Sequence, residues 1–242
     1  MKESGLYCTL AKYYDYIYAE KDYQKEVEAL VEIIKEYKIS RSNDLLDVAC
    51  GTGSHIQFFQ QEFNCTGVDI NPEMLEIAKQ KVPAATFIES DMRTLNLEKK
   101  FDVIVCLFSS IGYIKTTEKL SQTIQSFSDH LKKSGIVIIE PWLTKEVYRV
   151  GSPHILVYDG DDLKIARVNV SLLKEENISY FDFHYLIAER DQEVKHFVDH
   201  HELALYPIEL LLEFMKKATL KTDFFKQGLF ESRGLCIGKK EK

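Results

Sequence analysis

Two glycines and an acidic residue have the clearest chemical potential in this chain. Gly51 and Gly53 end an apolar run that begins at Leu45, and Asp69 ends the next apolar segment. Glycine lets the backbone turn sharply and lets a ligand lie against bare amides. A carboxylate at the tip of the following strand can accept both hydroxyls of a ribose. This order predicts a nucleoside-containing cofactor at the carboxyl ends of parallel strands.

Two cofactors fit a strand, a glycine turn and a ribose carboxylate, namely NAD and S-adenosylmethionine. The dinucleotide fingerprint has a third glycine, which lets the helix approach the strand and the pyrophosphate. Here that position is Ile56, whose branched side chain opposes the approach. S-adenosylmethionine has no phosphate and does not need the third glycine. The segment 47–53, Asp-Val-Ala-Cys-Gly-Thr-Gly, resembles the glycine motif of class I methyltransferases, so we expect S-adenosylmethionine.

Two further segments lie where such a fold needs them. Asp91 can accept a hydrogen bond from the adenine amino group, and Met92 can cover the ring. The run 101–108 is almost continuously apolar, as in a strand buried on both faces. The turn 109–112 should then lie beside the glycine turn.

Each signal also has a purely structural interpretation. A Gly-Thr-Gly turn often only connects a strand to a helix. Asp69 could cap the helix that begins at Pro72, although Asn71 is the better N-cap candidate. Asp91 could belong to a surface turn. The ordered set of all three signals favours a cofactor site.

The composition limits the class of protein. The 242 residues are 45% apolar, which indicates one large domain or one domain with an insertion. A net charge of −7 without a long basic run weighs against a nucleic-acid partner. Five cysteines without a C-x-x-C pair suit a reducing cytoplasm. We see no signal-peptide core and no apolar run near the roughly 20 residues of a membrane helix. We therefore expect a cytoplasmic protein without a membrane partner.

Strand and helix patterns alternate along the first part of the chain, which predicts an α/β fold with a doubly wound, Rossmann-like parallel sheet. We expect a helical lid in residues 1–40, a cofactor-binding core in 41–143 and 207–242, and an inserted antiparallel sheet in 144–206. The expected strands of the core are 44–50, 65–70, 85–90, 101–108, 135–141, 220–227 and 233–239. The expected helices are 23–38, 54–62, 72–81, 117–133 and 207–218.

The insertion shows period-two patterns separated by turn residues. Its strands are expected at 154–158, 163–173, 178–189 and 194–206. At the N-terminus, Tyr14 and Tyr18 share a helical face. They could pack on the sheet or form a lid over the ligand, and the sequence supports both interpretations equally.

Histidines and one arginine are the remaining candidates for chemistry. His200 and His201 are adjacent on a strand and point to opposite faces, so they are unsuited to one metal, and we expect no metal site. His201 lies on the apolar face, where a structural hydrogen bond is commoner than proton transfer. His55 is expected on a helix surface. Arg233 could be a solvated loop residue or could form two parallel bonds to a phosphate.

The chain resembles the TDP-3-amino-sugar N,N-dimethyltransferases of deoxysugar biosynthesis. The shared segments are Tyr14-Asp15, Asp22-Tyr23, Leu45 to Gly53, Asp91-Met-Arg93, Phe108-Ser-Ser-Ile-Gly112, Glu140-Pro-Trp142, His184-Tyr-Leu186, His201 and Arg233-Gly-Leu235. The resemblance implies a seven-stranded class I methyltransferase fold, Arg233 facing a diphosphate, and an inserted sheet that forms a homodimer interface. The family carries a histidine just after Ile-Gly, where this chain has Tyr113.

We assign roles accordingly. Tyr14 should cover the sulfonium side, while Tyr113 and His201 orient the acceptor. The residues expected to bind the cofactor are Tyr14, Asp47, Ala49, Cys50, Gly51, Gly53, Asp69, Ile70, Met74, Asp91, Met92, Leu107 and Phe108. The residues expected to bind the substrate are Tyr7, Ser109, Tyr113, Trp142 and Arg233.

The expected reaction is methyl transfer to an amine of a small molecule, with a nucleotide-linked amino sugar as the class that the resemblance implies. Positioning can contribute about 7–11 kcal/mol, whereas deprotonating an amine with a pKa near 8 costs about 1.4 kcal/mol at pH 7. A strong base is therefore not required. The alternatives are another amine, an oxygen or carboxyl acceptor, a nucleic-acid methyltransferase, a non-catalytic cofactor-binding protein and a dehydrogenase.

Overall fold

The computed structural model of the chain describes residues 11–38, 42–229 and 232–241. The α-helices are α1 (Tyr14–Ile17), α2 (Tyr23–Tyr37), α3 (Ile56–Phe59), α4 (Pro72–Lys81), α5 (Thr117–His130) and α6 (Ile208–Lys217). The strands are β1 (Asp44–Val48), β2 (Asn64–Asp69), β3 (Thr86–Glu89), β4 (Phe101–Cys106), β5 (Leu131–Ile139), β6 (Pro153–Asp159), β7 (Leu163–Val170), β8 (Leu172–Lys174), β9 (Ile178–Glu189), β10 (Lys195–Ala204), β11 (Leu220–Phe225) and β12 (Leu235–Lys240).

The main sheet has seven strands in the order β11-β12-β5-β4-β1-β2-β3. Strands β1 to β5 run parallel, and β12 is antiparallel to both β5 and β11. The order reverses between β1 and β4, so a crevice opens beyond their carboxyl ends. This confirms the predicted class I methyltransferase fold.

Helices cover both faces of this sheet because its central strands are apolar on both sides. On one face, Leu46 and Ile104 pack with Leu120 of α5 and Phe214 of α6. On the other face, Leu45 and Val103 pack with side chains of α2 and α3. The core therefore fixes the strand ends at which the functional turns begin.

The second sheet is antiparallel, with the order β10-β9-β7-β6 and β8 paired to β9. This confirms the predicted insertion. Its inner face packs on the N-terminal segment, where Tyr13 and Ile17 contact Ile165, Tyr185 and Ile187. Its outer face exposes apolar side chains, among them Ile155 at 69%.

Several predicted boundaries were wrong for local reasons. Strand β1 ends at Val48 instead of 50, because Ala49 has a φ of 60°. Helix α3 is one turn instead of 54–62. Helix α5 ends at His130, so Lys132 and Lys133, which we assigned to it, belong to β5. The pairing of β5 with β4 shifts register between Leu131 and Ile136, where Ser134 has a left-handed backbone conformation.

Two further predictions differ from the structure. The strand predicted over 163–173 divides into β7 and β8, because the amide and carbonyl of Ser171 bond to Ser152 and Gly151. His55 was expected on a helix surface but is buried, with Nε2 2.8 Å from Glu26 Oε2. It therefore connects the start of α3 to α2.

Candidate functional site

A cavity of about 1000 Å³ lies at the carboxyl ends of the parallel strands. Its walls come from the glycine turn after β1, the segments after β2, β3 and β4, the N-terminal helix α1, and the inner face of the inserted sheet. The inserted sheet and α1 thus close a crevice that the main sheet alone would leave open.

The glycine turn is held by the carboxylate at the end of β2. Ala49 and Gly51 have φ values of 60° and 55°, which turn the chain as it leaves β1. Asp69 Oδ2 accepts from the Gly51 amide at 2.8 Å, and Oδ1 accepts from the Asn71 amide at 2.9 Å. Burial raises the pKa of Asp69, and these amides oppose the rise. Asp69 therefore both fixes the turn and faces the cavity with its remaining lone pairs.

A second carboxylate lies behind this wall. Asp47 is buried, and its Oδ2 has no hydrogen-bond partner among the described residues. Burial, together with the neighbouring charge of Asp69, raises the pKa of Asp47 to about 8. An unpartnered buried carboxylate is unfavourable unless a cation or donor approaches it. The α-ammonium group of S-adenosylmethionine is a cation and donor of this kind.

The residues predicted to bind the cofactor divide into two groups. Those that line the cavity are Tyr14, Ala49, Gly51, Asp69, Ile70, Asp91, Met92 and Phe108. The others do not line it. Cys50 points beneath Gly67, and Gly53 packs against Ala78 and Phe87. Those that are buried away from the cavity wall are Asp47, Cys50, Met74 and Leu107.

Asp91 lies on the cavity wall as predicted, but its hydrogen bonds are made to a neighbouring residue. Its carboxylate lies on the cavity wall, but it accepts from the backbone amide and the guanidinium of Arg93. The Arg93 side chain holds the pKa of Asp91 below its usual value. The carboxylate is thus charged and oriented, and it forms part of the rim beside Met92.

The bend after β4 is conformationally strained. Phe108 and Ser109 are consecutive non-glycine residues with φ values of 51° and 64°. Such backbone conformations persist only where the surroundings enforce them. Glu140 Oε2 accepts from the Phe108 amide at 2.7 Å, and Ser109 Oγ donates to the Pro141 carbonyl at 2.9 Å. The segment after β5 therefore fixes this bend into the cavity.

Arg233 lies against that same segment. Its Nη1 is 3.6 Å from Glu140 Oε1, and its guanidinium lies 4.9 Å from the centre of the Trp142 ring. Glu140 is 1% exposed, and burial raises its pKa while Arg233 opposes the rise. Trp142 Nε1 in turn donates to Ser179 Oγ at 2.9 Å. The predicted substrate residues Ser109, Trp142 and Arg233 thus form one wall.

The N-terminal helix both packs on the inserted sheet and faces the cavity. Tyr14 and Tyr18 line the cavity with their ring centres 4.8 Å apart, and Tyr18 meets the edge of Phe108. Asp15 accepts from Thr52 Oγ1 at 2.6 Å and pairs with Lys81 at 2.7 Å. This links α1 to the glycine turn. Tyr7 lies outside the described residues.

Tyr113 and His201 meet on the cavity wall at the end where the sequence predicts the acceptor, which we call the acceptor end. The Tyr113 hydroxyl is 2.7 Å from His201 Nδ1, and His201 Nε2 is 2.9 Å from Asp199 Oδ2. His201 also stacks on Phe181. The prediction that His201 faces inward and His200 outward is confirmed, since they are buried and exposed respectively.

Sequence reasoning missed Asp199 and Arg167. Arg167 lies on the cavity wall, donates to the Tyr18 hydroxyl at 3.0 Å and covers the Phe183 ring at 4.2 Å. Its Nε has no hydrogen-bond partner among the described residues. The signal was the alternation of β7, because Ile165 and Arg167 must share the inner face.

Comparison with known proteins agrees with this geometry. A family profile described as a methyltransferase domain matches residues 45–135. The dTDP-3-amino-3,4,6-trideoxy-alpha-D-glucopyranose N,N-dimethyltransferase of Streptomyces venezuelae is 35% identical over 94% of this chain and 96% of its own length. The dTDP-3-amino-3,6-dideoxy-alpha-D-glucopyranose N,N-dimethyltransferase of Streptomyces fradiae is 29% identical over 95% and 90%.

A solved structure extends the similarity to the whole fold. The crystal structure of Streptomyces venezuelae DesVI superposes with a TM-score of 0.89 and 34% identity, covering 96% of this chain and 98% of that one. The glycine turn, the inserted sheet and this similarity along nearly the full length lead to one conclusion. The chain belongs to the S-adenosylmethionine-dependent methyltransferases, in the family of dTDP-amino-sugar N,N-dimethyltransferases.

Proposed function

We propose that this protein transfers methyl groups from S-adenosylmethionine to the amino group of a nucleotide-diphosphate-linked amino sugar. The observation that carries the proposal is a pair of guanidinium groups in a cavity that otherwise has many aromatic side chains. Arg167 lies beside Tyr18, and Arg233 lies beside Phe108, so the two arginines flank this pair of rings. Guanidinium groups bind phosphate oxygens in a bidentate manner.

The chain's own residues position the reactants. When bound, S-adenosylmethionine supplies an electrophilic methyl group on a sulfonium sulfur. Asp69 accepts the ribose hydroxyls, and the open space above Gly51 admits the ligand to the bare backbone. Tyr14 covers the side of the cavity toward the transferred methyl group. Tyr113 accepts a hydrogen bond from the acceptor amine and thereby directs the lone pair of the amine nitrogen toward the methyl group.

Positioning outweighs deprotonation in this reaction because nitrogen is a good nucleophile once neutral. An oriented pair of reactants gains about 7–11 kcal/mol over a free encounter. An amine with a pKa near 8 loses only about 1.4 kcal/mol to protonation at pH 7. The names of the relatives support two successive transfers to one nitrogen.

The proposal includes a homodimer formed through the outer face of the inserted sheet. Ile155 and Val168 are register partners there, and Val157 and Leu186 flank them. These four side chains are between 44% and 69% exposed. A contiguous apolar surface of this kind marks an interface, and a second copy of the chain is the occupant that the family resemblance implies. Leu186→Lys should convert a dimer to a monomer in light scattering; a dimer that persists would contradict this interface.

The proposed compartment is the cytoplasm. Cys50, Cys65, Cys106 and Cys236 are buried and unbridged, which suits reducing conditions. None of the described helices is long and apolar enough to cross a membrane.

The direct experiment is incubation with S-adenosylmethionine and dTDP-3-amino-3,6-dideoxyglucose, followed by mass spectrometry. We expect products with one and then two added methyl groups. The matched controls are the same nucleotide sugar with a hydroxyl at that carbon and the free amino sugar without the nucleotide; both should react poorly. Equal reaction of the free sugar would reject the nucleotide, and transfer to the hydroxyl would reject the amine.

A further inference from the structure

We propose that Tyr113, His201 and Asp199 form a proton relay that removes the proton from the acceptor amine. This inference rests on the proposed function and adds Asp199 as a positioning residue. The chain of contacts runs from the cavity wall into the inserted sheet, with distances of 2.7 Å and 2.9 Å. Tyr113 and His201 line the cavity, whereas Asp199 does not.

The direction of the hydrogen bonds follows from the donor inventory. A carboxylate only accepts, so Asp199 selects the tautomer of His201 that carries its proton on Nε2. Nδ1 is then an acceptor, and the Tyr113 hydroxyl must donate to it. The Tyr113 oxygen consequently presents lone pairs toward the cavity, where an amine proton can approach. An acid that orients a histidine and stabilises its charged form is the arrangement of hydrolase triads.

Burial gives this arrangement its strength. His201 and Asp199 are 3% and 5% exposed, and the rings of Phe181 and Phe183 lie 5.4 Å and 4.7 Å from the imidazole. The pair is thereby largely shielded from water, so its electrostatic interaction is stronger than in solvent.

Other titratable and charged groups surround the relay. Tyr185 of β9 lies near Asp199 on the inner face, and Arg167 of β7 is the register partner of Tyr185. Tyr14 of α1 lies near Tyr113. The pKa of Tyr14 is raised well above its usual value by burial, so it remains a neutral phenol and does not compete as a base. Arg167 disfavours a further positive charge. The carboxylate bonded directly to His201 is that of Asp199, which favours the imidazolium.

The proton balance of the step is simple. A protonated amine gives its proton to the Tyr113 oxygen while the Tyr113 hydroxyl proton moves to His201 Nδ1. The products are a neutral amine and an imidazolium paired with Asp199. The nitrogen lone pair then forms the new bond to carbon as the carbon–sulfur bond breaks. The imidazolium must then release its proton to solvent to restore neutral His201. After the first transfer the product nitrogen again carries a proton that must leave, so the restored relay acts once before each transfer.

The test is the pH profile of kcat/KM with dTDP-3-amino-3,6-dideoxyglucose. In Asp199→Asn the imidazolium loses its counterion, so His201 accepts the amine proton less readily and kcat/KM should fall selectively at pH values where the free amine is protonated. We expect a loss of roughly tenfold near pH 6.5, and less than about twofold above pH 9, where the free amine is already neutral. The ratio of dimethylated to monomethylated product should fall in parallel.

The fold offers a matched control. Asp182 contacts His200 Nδ1 at 2.6 Å on the opposite face of the same two strands. Asp182→Asn removes an equivalent acid–histidine pair that faces away from the cavity and should leave the pH profile unchanged. If Asp199→Asn does not fold, Tyr113→Phe removes the first member of the relay. It should lose some kcat/KM at every pH because the amine is less well oriented, and should lose more near pH 6.5 than above pH 9.

The possible outcomes separate the two proposals. A loss by one constant factor at every pH, or no loss, would overturn the relay while methyl transfer itself stands. A wild-type protein that methylates no amino sugar at any pH would overturn the proposed function and the relay with it.

Discussion

The two ends of the cavity are built in different ways. At the cofactor end, the glycine turn after β1 is held by backbone hydrogen bonds, because the amides of Gly51 and Asn71 donate to the Asp69 carboxylate. At the acceptor end, side chains from distant parts of the chain converge, and Tyr113 meets His201 across 88 positions of sequence. The first arrangement is local and the second is nonlocal, and we propose that the first binds the methyl donor while the second selects the acceptor.

The difference predicts that stability and ligand affinity respond separately at the two ends. The largest effect should come from Asp47, whose folded pKa of about 8 lies far above the unfolded value. Because the folded carboxyl prefers its proton, the free energy of unfolding should fall as pH rises from about 4 to about 8, by up to about 4 kcal/mol at pH 7. Asp47→Asn should remove this dependence. Urea unfolding of the free protein between pH 4 and pH 8 measures this pH dependence. A free energy of unfolding that changes with pH equally in the variant and the wild type would contradict the prediction.

The next largest effect concerns the buried ion pair at the acceptor end. Arg233→Met leaves Glu140 buried without its cationic partner, which should destabilise the protein by about 3 kcal/mol. Adding Glu140→Gln should recover most of that loss in chemical denaturation but should not restore nucleotide-sugar binding. Recovery of both would show that Arg233 has only a structural role.

A smaller effect is expected from the ribose carboxylate. Asp69→Ala removes charge-assisted hydrogen bonds and should weaken S-adenosylmethionine binding by about 2 kcal/mol. Calorimetry with S-adenosylhomocysteine measures the change, and the affinity for dTDP should remain as in wild type. Unchanged donor affinity would reject the assignment of Asp69.

The smallest effect should be confined to the acceptor. Arg167→Met keeps the packing over Phe183 but removes the charge, so KM for the nucleotide sugar should rise about tenfold, near 1.4 kcal/mol. Arg167→Lys should recover part of this loss. An equal rise in KM for S-adenosylmethionine would contradict the separation of the two ends.

The sequence predicted the cofactor end more fully than the acceptor end for a physical reason. A strand, a glycine turn and an acid are consecutive, so the order of Gly51, Asp69, Asp91 and Met92 was enough to predict residues that do line the cavity. The packing roles of Cys50 and Gly53 could not be predicted in this way. The Cys50 sulfur lies beneath Gly67, and Gly53 packs against α4. The function of a glycine in such a turn depends on what a Cβ atom would meet, which spacing does not specify.

At the acceptor end, only residues on recognisable motifs were found. Tyr113, Trp142 and Arg233 follow strands of the core, whereas Arg167 and Asp199 lie on strands of the insertion. The alternation of apolar and polar residues along β10 predicted that His201 faces inward. It did not predict that Asp199 is buried beside it. Register between β9 and β10 decides that contact, and a shift by one residue would reverse every face.

The most direct test of the account is a crystal structure with S-adenosylhomocysteine and dTDP-3-amino-3,6-dideoxyglucose bound together. The account predicts the adenosine ribose on Asp69, the diphosphate between Arg167 and Arg233, and the sugar nitrogen within hydrogen-bond distance of the Tyr113 hydroxyl. A diphosphate bound away from both arginines, or a sugar nitrogen facing away from Tyr113, would contradict it.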